Sequence, residues 1–345
     1  MATSSDRNEV QASGFHPGET IASAGEEHRP LFIVMNAGSG RRNADAARDA
    51  IDRQLREAGH PGEILLCRKS RDLSSLIRRA VELAGSHNGV IVAAGGDGTI
   101  RTVAQQVIST GLPFGVIPKG TFNYFARDNG LPQDPYTAAK ALIAGVRAGT
   151  ERLVKVGQLN DQIFLVNASM GLYPQLLEDR ETYKQRYGRS RLVALWAGLL
   201  TLIRRNAEML LRFEYASGRQ EHGAEVVRAS TLFVGNNALQ LDQVGLSEDN
   251  GERTAELTVL VLPAMNAIER LSIALRGMMG RLNQAPDTSH FQCRQLSVEP
   301  LARAQRRKVK IAMDGESAWM RPPLVFRVAP RPLRLVVPPT GWSDA

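Results

Sequence analysis

Val90-Ile91-Val92-Ala93-Ala94-Gly95-Gly96-Asp97-Gly98-Thr99 is the stretch that decides the fold. Its first half is a continuous apolar run, which reads as a strand buried on both faces. Its second half turns at once into a glycine-rich loop, and the spacing predicts a helix over residues 100–109. Glycines at such a junction let the backbone approach a phosphate without a Cβ clash. The loop amides and the helix N-terminus supply a field that favours anions. Asp97 is the informative residue. A carboxylate beside a phosphate is repulsive unless a metal, or a hydroxyl to be oriented, lies between them. The same residues also read as a plain turn with Asp97 capping the helix. Neither GxxxxGKS/T nor GxGxxG is present.

Similar units lie on either side. Leu31-Phe32-Ile33-Val34-Met35 is a second buried run, and it ends in Asn36-Ala37-Gly38-Ser39-Gly40. Helical spacing follows over 45–58, a strand is expected over 63–67, and Asp72 can cap a helix reaching about residue 84. A further strand over 113–117 leads into Pro118-Lys119-Gly120-Thr121-Phe122-Asn123. This β/α alternation predicts a parallel sheet covered by helices on both faces. Open α/β sheets bind ligands at the carboxyl ends of their strands. Small-residue loops are expected there after the first, third and fourth strands, which is stronger evidence than any one loop alone.

The pattern changes near residue 152. Residues 154–159 and 162–166 read as a hairpin around Asn160-Asp161. Strand-like runs recur over 231–234, 257–262, 292–298, 309–313 and 324–328, with helical stretches over 189–205 and 267–276. The expected organisation is a flexible tail over 1–29, an α/β domain over 30–152 and a β-rich domain over 153–328. Residues 329–340 contain a short run between prolines that can return to the first domain.

Bulk properties narrow the function classes. The 345 residues, 43% hydrophobic and 23% charged, suit two globular domains. Two distant cysteines, Cys67 and Cys293, exclude a disulfide framework and a Cys-based zinc site. The first 30 residues hold no apolar run of the kind a signal peptide needs. No apolar segment approaches the ~20 residues of a membrane span. A cytoplasmic protein is expected, at most peripheral on the inner face of a membrane. The net charge of +8 fits nucleotide phosphates or an anionic membrane. Aromatics are scattered, with no stacking platform, so nucleic acid is not an expected partner. Oligomeric state stays open.

Near the far end, Ile311-Ala312-Met313 runs into Asp314-Gly315-Glu316. Asp-Gly is a common hairpin-turn pair, and the residues by themselves favour that reading. The order of motifs adds a second reading. Gly95 to Thr99 reproduces the GGDGT loop of the diacylglycerol kinase catalytic-domain superfamily, which also holds sphingosine kinases and bacterial lipid kinases. Residues 36–40 resemble its NPxSG loop, residues 118–127 its GTxNDFAR segment, and residues 166–171 the opening of its second domain. Asp314-Gly315-Glu316 resembles its DGE. The similarity runs in order from about 30 to 338.

The resemblance implies an NAD kinase- or phosphofructokinase-like α/β domain, a C-terminal β-sandwich, and an active site in the cleft. It implies an ATP- and Mg²⁺-dependent lipid kinase acting on a hydroxyl of a diacylglycerol-like or sphingoid lipid. Asp314 would be the general base, with Asp97 and Glu316 placing Mg²⁺ and the γ-phosphate. The nucleotide site would draw on Asn36, Ser39, Gly40, Gly95, Gly96, Asp97, Gly98, Thr99, Gly120, Thr121 and Asn123. Alternatives are an NAD kinase-like small-molecule kinase and an inactive nucleotide- or lipid-binding protein. The chain departs from the pattern where Ala37-Gly38 replaces a proline-containing turn and where Tyr124 stands in place of an aspartate. It also departs where residues 250–257 lack an acidic metal loop. Two segments suit membrane contact: the apolar helix over 192–203 with arginines at both ends, and the basic run Arg303, Arg306, Arg307, Lys308, Lys310.

Overall fold

The computed structural model describes residues 20–22, 28–37, 41–171, 208–216, 222–236, 256–264, 269, 289–302 and 307–343. Gly38, Ser39, Gly40, the expected helical stretches over 189–205 and 267–276 (residue 269 apart), the loop at 250–255, Arg303 and Arg306 lie outside the described residues.

The first domain is built on four parallel strands. These are β2 (Leu31–Asn36), β3 (Gly62–Cys67), β4 (Val90–Gly95) and β5 (Phe114–Pro118). Each strand buries alternate residues on opposite faces, because successive Cβ atoms point to opposite sides. Phe32, Val34, Ile91, Ala93, Phe114 and Val116 meet helices α2 (Leu73–Ser86) and α3 (Asp97–Val107). Leu31, Ile33, Met35, Val92 and Ala94 meet α1 (Arg41–Glu57) and α5 (Pro135–Ala148). Helices on both faces explain why these strands read as unbroken apolar runs rather than alternating ones. The short helix α4 (Tyr124–Asp128) lies between β5 and α5.

The sheet is wider than expected. Its order is β1-β6-β18-β5-β4-β2-β3. Strand β6 (Thr150–Val154) pairs antiparallel with the returning C-terminal strand β18 (Leu333–Val336), which runs parallel to β5. The expected tail over 1–29 needs correction at one point. Thr20–Ala22 forms β1, an edge strand paired with β6. Glu151 locks this added edge. Its carboxylate is 4% exposed and meets Arg334 at 2.8 Å and Arg29 at 3.4 Å.

Among the described residues the second domain is an antiparallel sheet of 11 strands, in the order β16-β15-β9-β11 (His222–Gly235)-β10 (Met209–Ala216)-β14 (Gln295–Pro300)-β17 (Leu324–Val328)-β7-β8, with β12 (Leu257–Pro263) pairing β11 and β13 (Ser289–Cys293) pairing β12. The ranges that matter for the site are β7 (Gly157–Leu159), β8 (Gln162–Phe164), β9 (Asn167–Gly171), β15 (Val309–Met313) and β16 (Glu316–Met320). Phe164, Met170, Leu232, Val298, Ile311, Met313 and Phe326 belong to its single core. The junction with the first domain is apolar as well. Ile163, Leu165 and Val166 join the first domain's core on the α3 side. The Ile163 N–H donates to Gln105 Oε1 at 2.7 Å.

Removing the carboxylate that locks the added edge should be costly. Glu151→Gln leaves Arg334 and Arg29 facing a neutral amide. Because both arginines keep some access to water, the expected loss is about 2 kcal/mol rather than the full cost of a buried broken pair. Urea unfolding of the variant against wild type measures it.

Candidate active site

Strands β2, β4 and β5 are neighbours in register. Met35 lies opposite Ala94, and Gly95 opposite Pro118. Their carboxyl ends therefore bring the starts of the three small-residue loops side by side. The loops are bonded to one another. Asn36 Nδ2 donates to Thr99 Oγ1 at 3.2 Å, Lys119 Nζ to the Asn36 carbonyl at 3.0 Å, and the Lys119 N–H to the Gly95 carbonyl at 2.8 Å. The second and third loops touch through glycines, since a Cβ on Gly120 would lie 2.9 Å from Gly96 Cα. Such contact is open only to residues without a side chain.

Helix α3 begins directly from this loop. Its N-cap, Gly96, is extended and offers no side-chain cap. The first-turn amides of such a helix are left for solvent or a ligand. Asp97 does not cap α3. Its Oδ1 instead accepts the Phe125 N–H of α4 at 3.3 Å. Burial pushes its carboxyl above the usual range, while the N–H groups of Phe125, Tyr124 and Asn123 pull the other way. Asn123 is similarly engaged. It sits at φ 48°, its Oδ1 accepts the Gly120 N–H at 2.8 Å, and its Nδ2 donates to Gln133 Oε1 at 3.3 Å. Asn36 and Asn123 thus scaffold the loops, whereas Gly120 and Thr121 are exposed at their rim.

The opposite wall is the β15–β16 hairpin. Asp314 (φ 48°) and Gly315 (φ 84°) form its turn between the paired residues Met313 and Glu316. Positive φ at both central positions is the demand of a type I′ turn, which Asp-Gly meets. The turn and the site are the same residues. Asp314 is buried, and its carboxylate accepts the N–H groups of Leu165 (2.8 Å), Val166 (2.8 Å) and Asn167 (3.1 Å). Burial pushes its pKa up to about 6, against the pull of those amides and of Arg101.

The geometry separates the two carboxylates that the resemblance pairs. A pKa near neutrality suits a base, and access matters as well. Asp314 is buried and already holds three amides, whereas Glu316 is open to solvent. Its side chain is 57% exposed, and its Oε2 meets Arg101 Nη2 at 2.7 Å across the domain boundary. A Cβ on Gly98 would lie 2.4 Å from Glu316 Oε1. The glutamate therefore rests directly on the glycine loop, and the geometry brings Asp97, Gly98, Thr99 and Glu316 to one cleft.

Two basic residues were not singled out by sequence reasoning. Arg101 lies one helical turn beyond Asp97, only 13% exposed, with its Nε buried and unbonded. Lys119 stands beside the Gly120 loop, its ammonium driven down in pKa by burial, with Asp45 opposing. The available signal was position: a cation just inside a phosphate-facing helix, or flanking a glycine at a strand's carboxyl end.

No group of three or more His, Cys, Asp or Glu among the described residues could hold a metal ion. Mg²⁺ needs less, since it commonly takes one or two carboxylates beside substrate phosphates. Asp97 fits that part. Glu316 fits less well, because the Arg101 guanidinium already occupies its Oε2.

Residues 30–158 match the family model of the diacylglycerol kinase catalytic domain. The chain is similar over 84% of its length, at 25% identity, to the diacylglycerol kinase of Bacillus subtilis, covering 90% of that protein. It is 32% identical over 46% of its length to the "Probable lipid kinase YegS-like" of Chromohalobacter salexigens. That match spans about half (49%) of the relative, and the match to the uncharacterized protein sll0036 of Synechocystis spans 36%. The fold resembles the crystal structure of a diacylglycerol kinase from Bacillus anthracis, with TM-score 0.64 at 20% identity, covering 90% of this chain and 97% of that one. The matched segment is thus similar to the catalytic domain of diacylglycerol kinases and to proteins named as lipid kinases. Among the described residues no helix is long and apolar enough to cross a membrane.

Two substitutions separate the roles at this site. Gly98→Ala should keep the fold, since alanine favours a helix by up to about 1 kcal/mol over glycine. The new methyl displaces the flexible Glu316 carboxylate, so turnover should fall while the melting temperature holds or rises. Asp314→Asn sets an amide NH₂ against backbone N–H groups and should cost about 1–3 kcal/mol. The sign of its pH dependence is fixed. A folded pKa near 6 exceeds the unfolded value of about 3.9. The stability contribution is therefore full below the unfolded value and is lost as pH rises through 6. Wild type's advantage over Asp314→Asn should shrink over that window in unfolding titrations.

Proposed function

We propose that this chain is a lipid kinase that transfers the γ-phosphate of ATP to a hydroxyl of a diacylglycerol-like or sphingoid lipid. The observation that carries the reading is the exposed Glu316 carboxylate resting on Gly98 at the start of α3. A phosphate-binding loop alone describes a binder. A loop faced at contact distance by an exposed carboxylate describes a place for an acceptor hydroxyl.

The triphosphate would lie over the amides of residues 96–99 and the N-terminus of α3, with Lys119 and Arg101 supplying positive charge. The acceptor enters from the side of the second domain. Its O–H donates the proton to Glu316 as the new O–P bond forms, and the bond from the γ-phosphorus to the bridging oxygen breaks, releasing ADP. A lipid alcohol has a high pKa, so a carboxylate placed to take the proton matters as the bond forms. Proton transfer leaves Glu316 neutral and weakens its hold on Arg101. The guanidinium is then free to turn toward the equatorial phosphate oxygens, where charge develops. Mg²⁺ carried by the triphosphate, with Asp97 as its protein carboxylate, would neutralise charge on those oxygens.

Incubation with labelled ATP, Mg²⁺ and a total lipid extract, with NAD in a parallel reaction, tests the reading. Labelled lipid is the expected product, and labelled NADP alone would overturn it. Glu316→Gln should lower kcat by roughly 10²–10⁴-fold with nucleotide binding retained. Arg101→Gln should lower kcat more than it raises the KM for ATP, with partial recovery in Arg101→Lys. Undiminished turnover in Glu316→Gln would remove the glutamate from the mechanism.

A further inference from the structure

Among the described residues strand β16 is the edge of the second-domain sheet, and it carries Trp319, which is 63% exposed. Among the described residues this is the most exposed large apolar side chain. Alternation along the strand explains its direction. Ala318 and Met320 turn into the second-domain core, so Trp319 between them turns outward. Its register partner is Lys310, whose Nζ lies 5.6 Å from the ring centroid. Arg307, Lys308 and Arg321 are exposed at the open end of the same hairpin. Residues 301–313 hold five Arg and Lys with no Asp or Glu, and residues 317–321 add Arg321 with no acidic residue.

An outward indole framed by cations matches one chemical surface better than others. Tryptophan concentrates where an apolar layer meets a wet polar one. Basic side chains close to anionic headgroups gain from the surface potential. We propose that the β15–β16 hairpin docks this chain on an anionic phospholipid bilayer, with Trp319 entering the headgroup layer and Lys308, Lys310 and Arg321 pairing with lipid phosphates. The purpose of such docking rests on the lipid-kinase reading. Glu316 begins the strand that carries Trp319, three residues earlier, roughly 10 Å at about 3.3 Å per residue. By the same alternation Glu316 lies on the face opposite Trp319, so docking there sets the cleft beside the bilayer surface.

The test is sedimentation of the full chain with vesicles of phosphatidylcholine alone and of phosphatidylcholine mixed with phosphatidylglycerol. Retention on the mixed vesicles, weakened by salt, is expected. Trp319→Ala should bind several-fold more weakly. Lys308→Gln, Lys310→Gln and Arg321→Gln should each weaken binding roughly fivefold. Thermal melts check folding, and the glutamine variants carry the test should Trp319→Ala fold poorly. Variants that bind as wild type does, or equal retention on both vesicles, would overturn the proposal. So would hairpin-dependent capture of an acidic peptide without vesicle binding. Phosphorylation of a short-chain diacylglycerol in free solution separates this surface from the kinase reading. Equal rates there for wild type and Trp319→Ala, with only wild type faster on vesicles, support both. Vesicle binding without any phosphorylation sinks the kinase reading and leaves the docking surface standing.

Discussion

The geometry of the cleft depends on a buried clamp: one carboxylate, from Asp314, gripping the backbone N–H groups of residues 165–167. The Asp314 N–H returns to the Asn167 carbonyl at 3.0 Å, so the turn is tied by both its side chain and its backbone. Hydrogen bonds to a charged acceptor are roughly twice as strong as neutral ones. Desolvation works against them, and the upward pKa of Asp314 shows that burial outweighs the amides in the protonation balance. The result is a hairpin turn whose position is set by the chain segment that enters the second domain. Glu316, the next residue but one, inherits that position.

The same segment is anchored on its other side. Ile163, Leu165 and Val166 pack in the core beneath α3, and Gln105 of α3 takes the Ile163 N–H. Contacts therefore run in a closed circuit, from α3 through residues 163–167 to Asp314, on to Glu316, and back to α3 at Gly98 and Arg101. A structure with only the ion pair between Arg101 and Glu316 would be a weak bridge, because an exposed glutamate is screened by water. Within the circuit, that pair has only to orient a carboxylate whose backbone is already fixed. The pair can therefore open without loosening the two domains.

Much of this was legible in the sequence because the parallel strands are buried on both faces. The runs at 31–35 and 90–94 announce themselves by apolarity alone, and the loops after them follow from topology. The second domain was harder. Strand β10 (Met209–Ala216) alternates Leu211 and Phe213 inward with Arg212 and Glu214 outward, so it shows no continuous run, and it was missed. Strand β1 was missed because a three-residue edge strand of Thr-Ile-Ala carries almost no periodic signal. For the site, residue types were visible but burial was not. Asp314 and Glu316 are two carboxylates with one residue between them, and only their surroundings divide them into a buried clamp and an exposed group paired with Arg101. Arg101 and Lys119 took their meaning from contacts 215 and 83 residues away along the chain, which no local pattern records.

Tyr124 shows how a departure from a family pattern is absorbed. An aspartate at that position would add a second negative charge close to Asp97, at the start of α4. Tyr124 instead packs partly buried against the first-domain core and stacks on Phe122, ring centroids 5.6 Å apart and planes 3° from parallel. Stacking of this kind contributes about 0.5–1.5 kcal/mol beyond area burial. It also gives the loop after β5 an apolar flank, with Phe122 42% exposed at the surface. Asp97 then stands as the acidic group in its loop, held by the Phe125 amide rather than balanced against a neighbour of like charge.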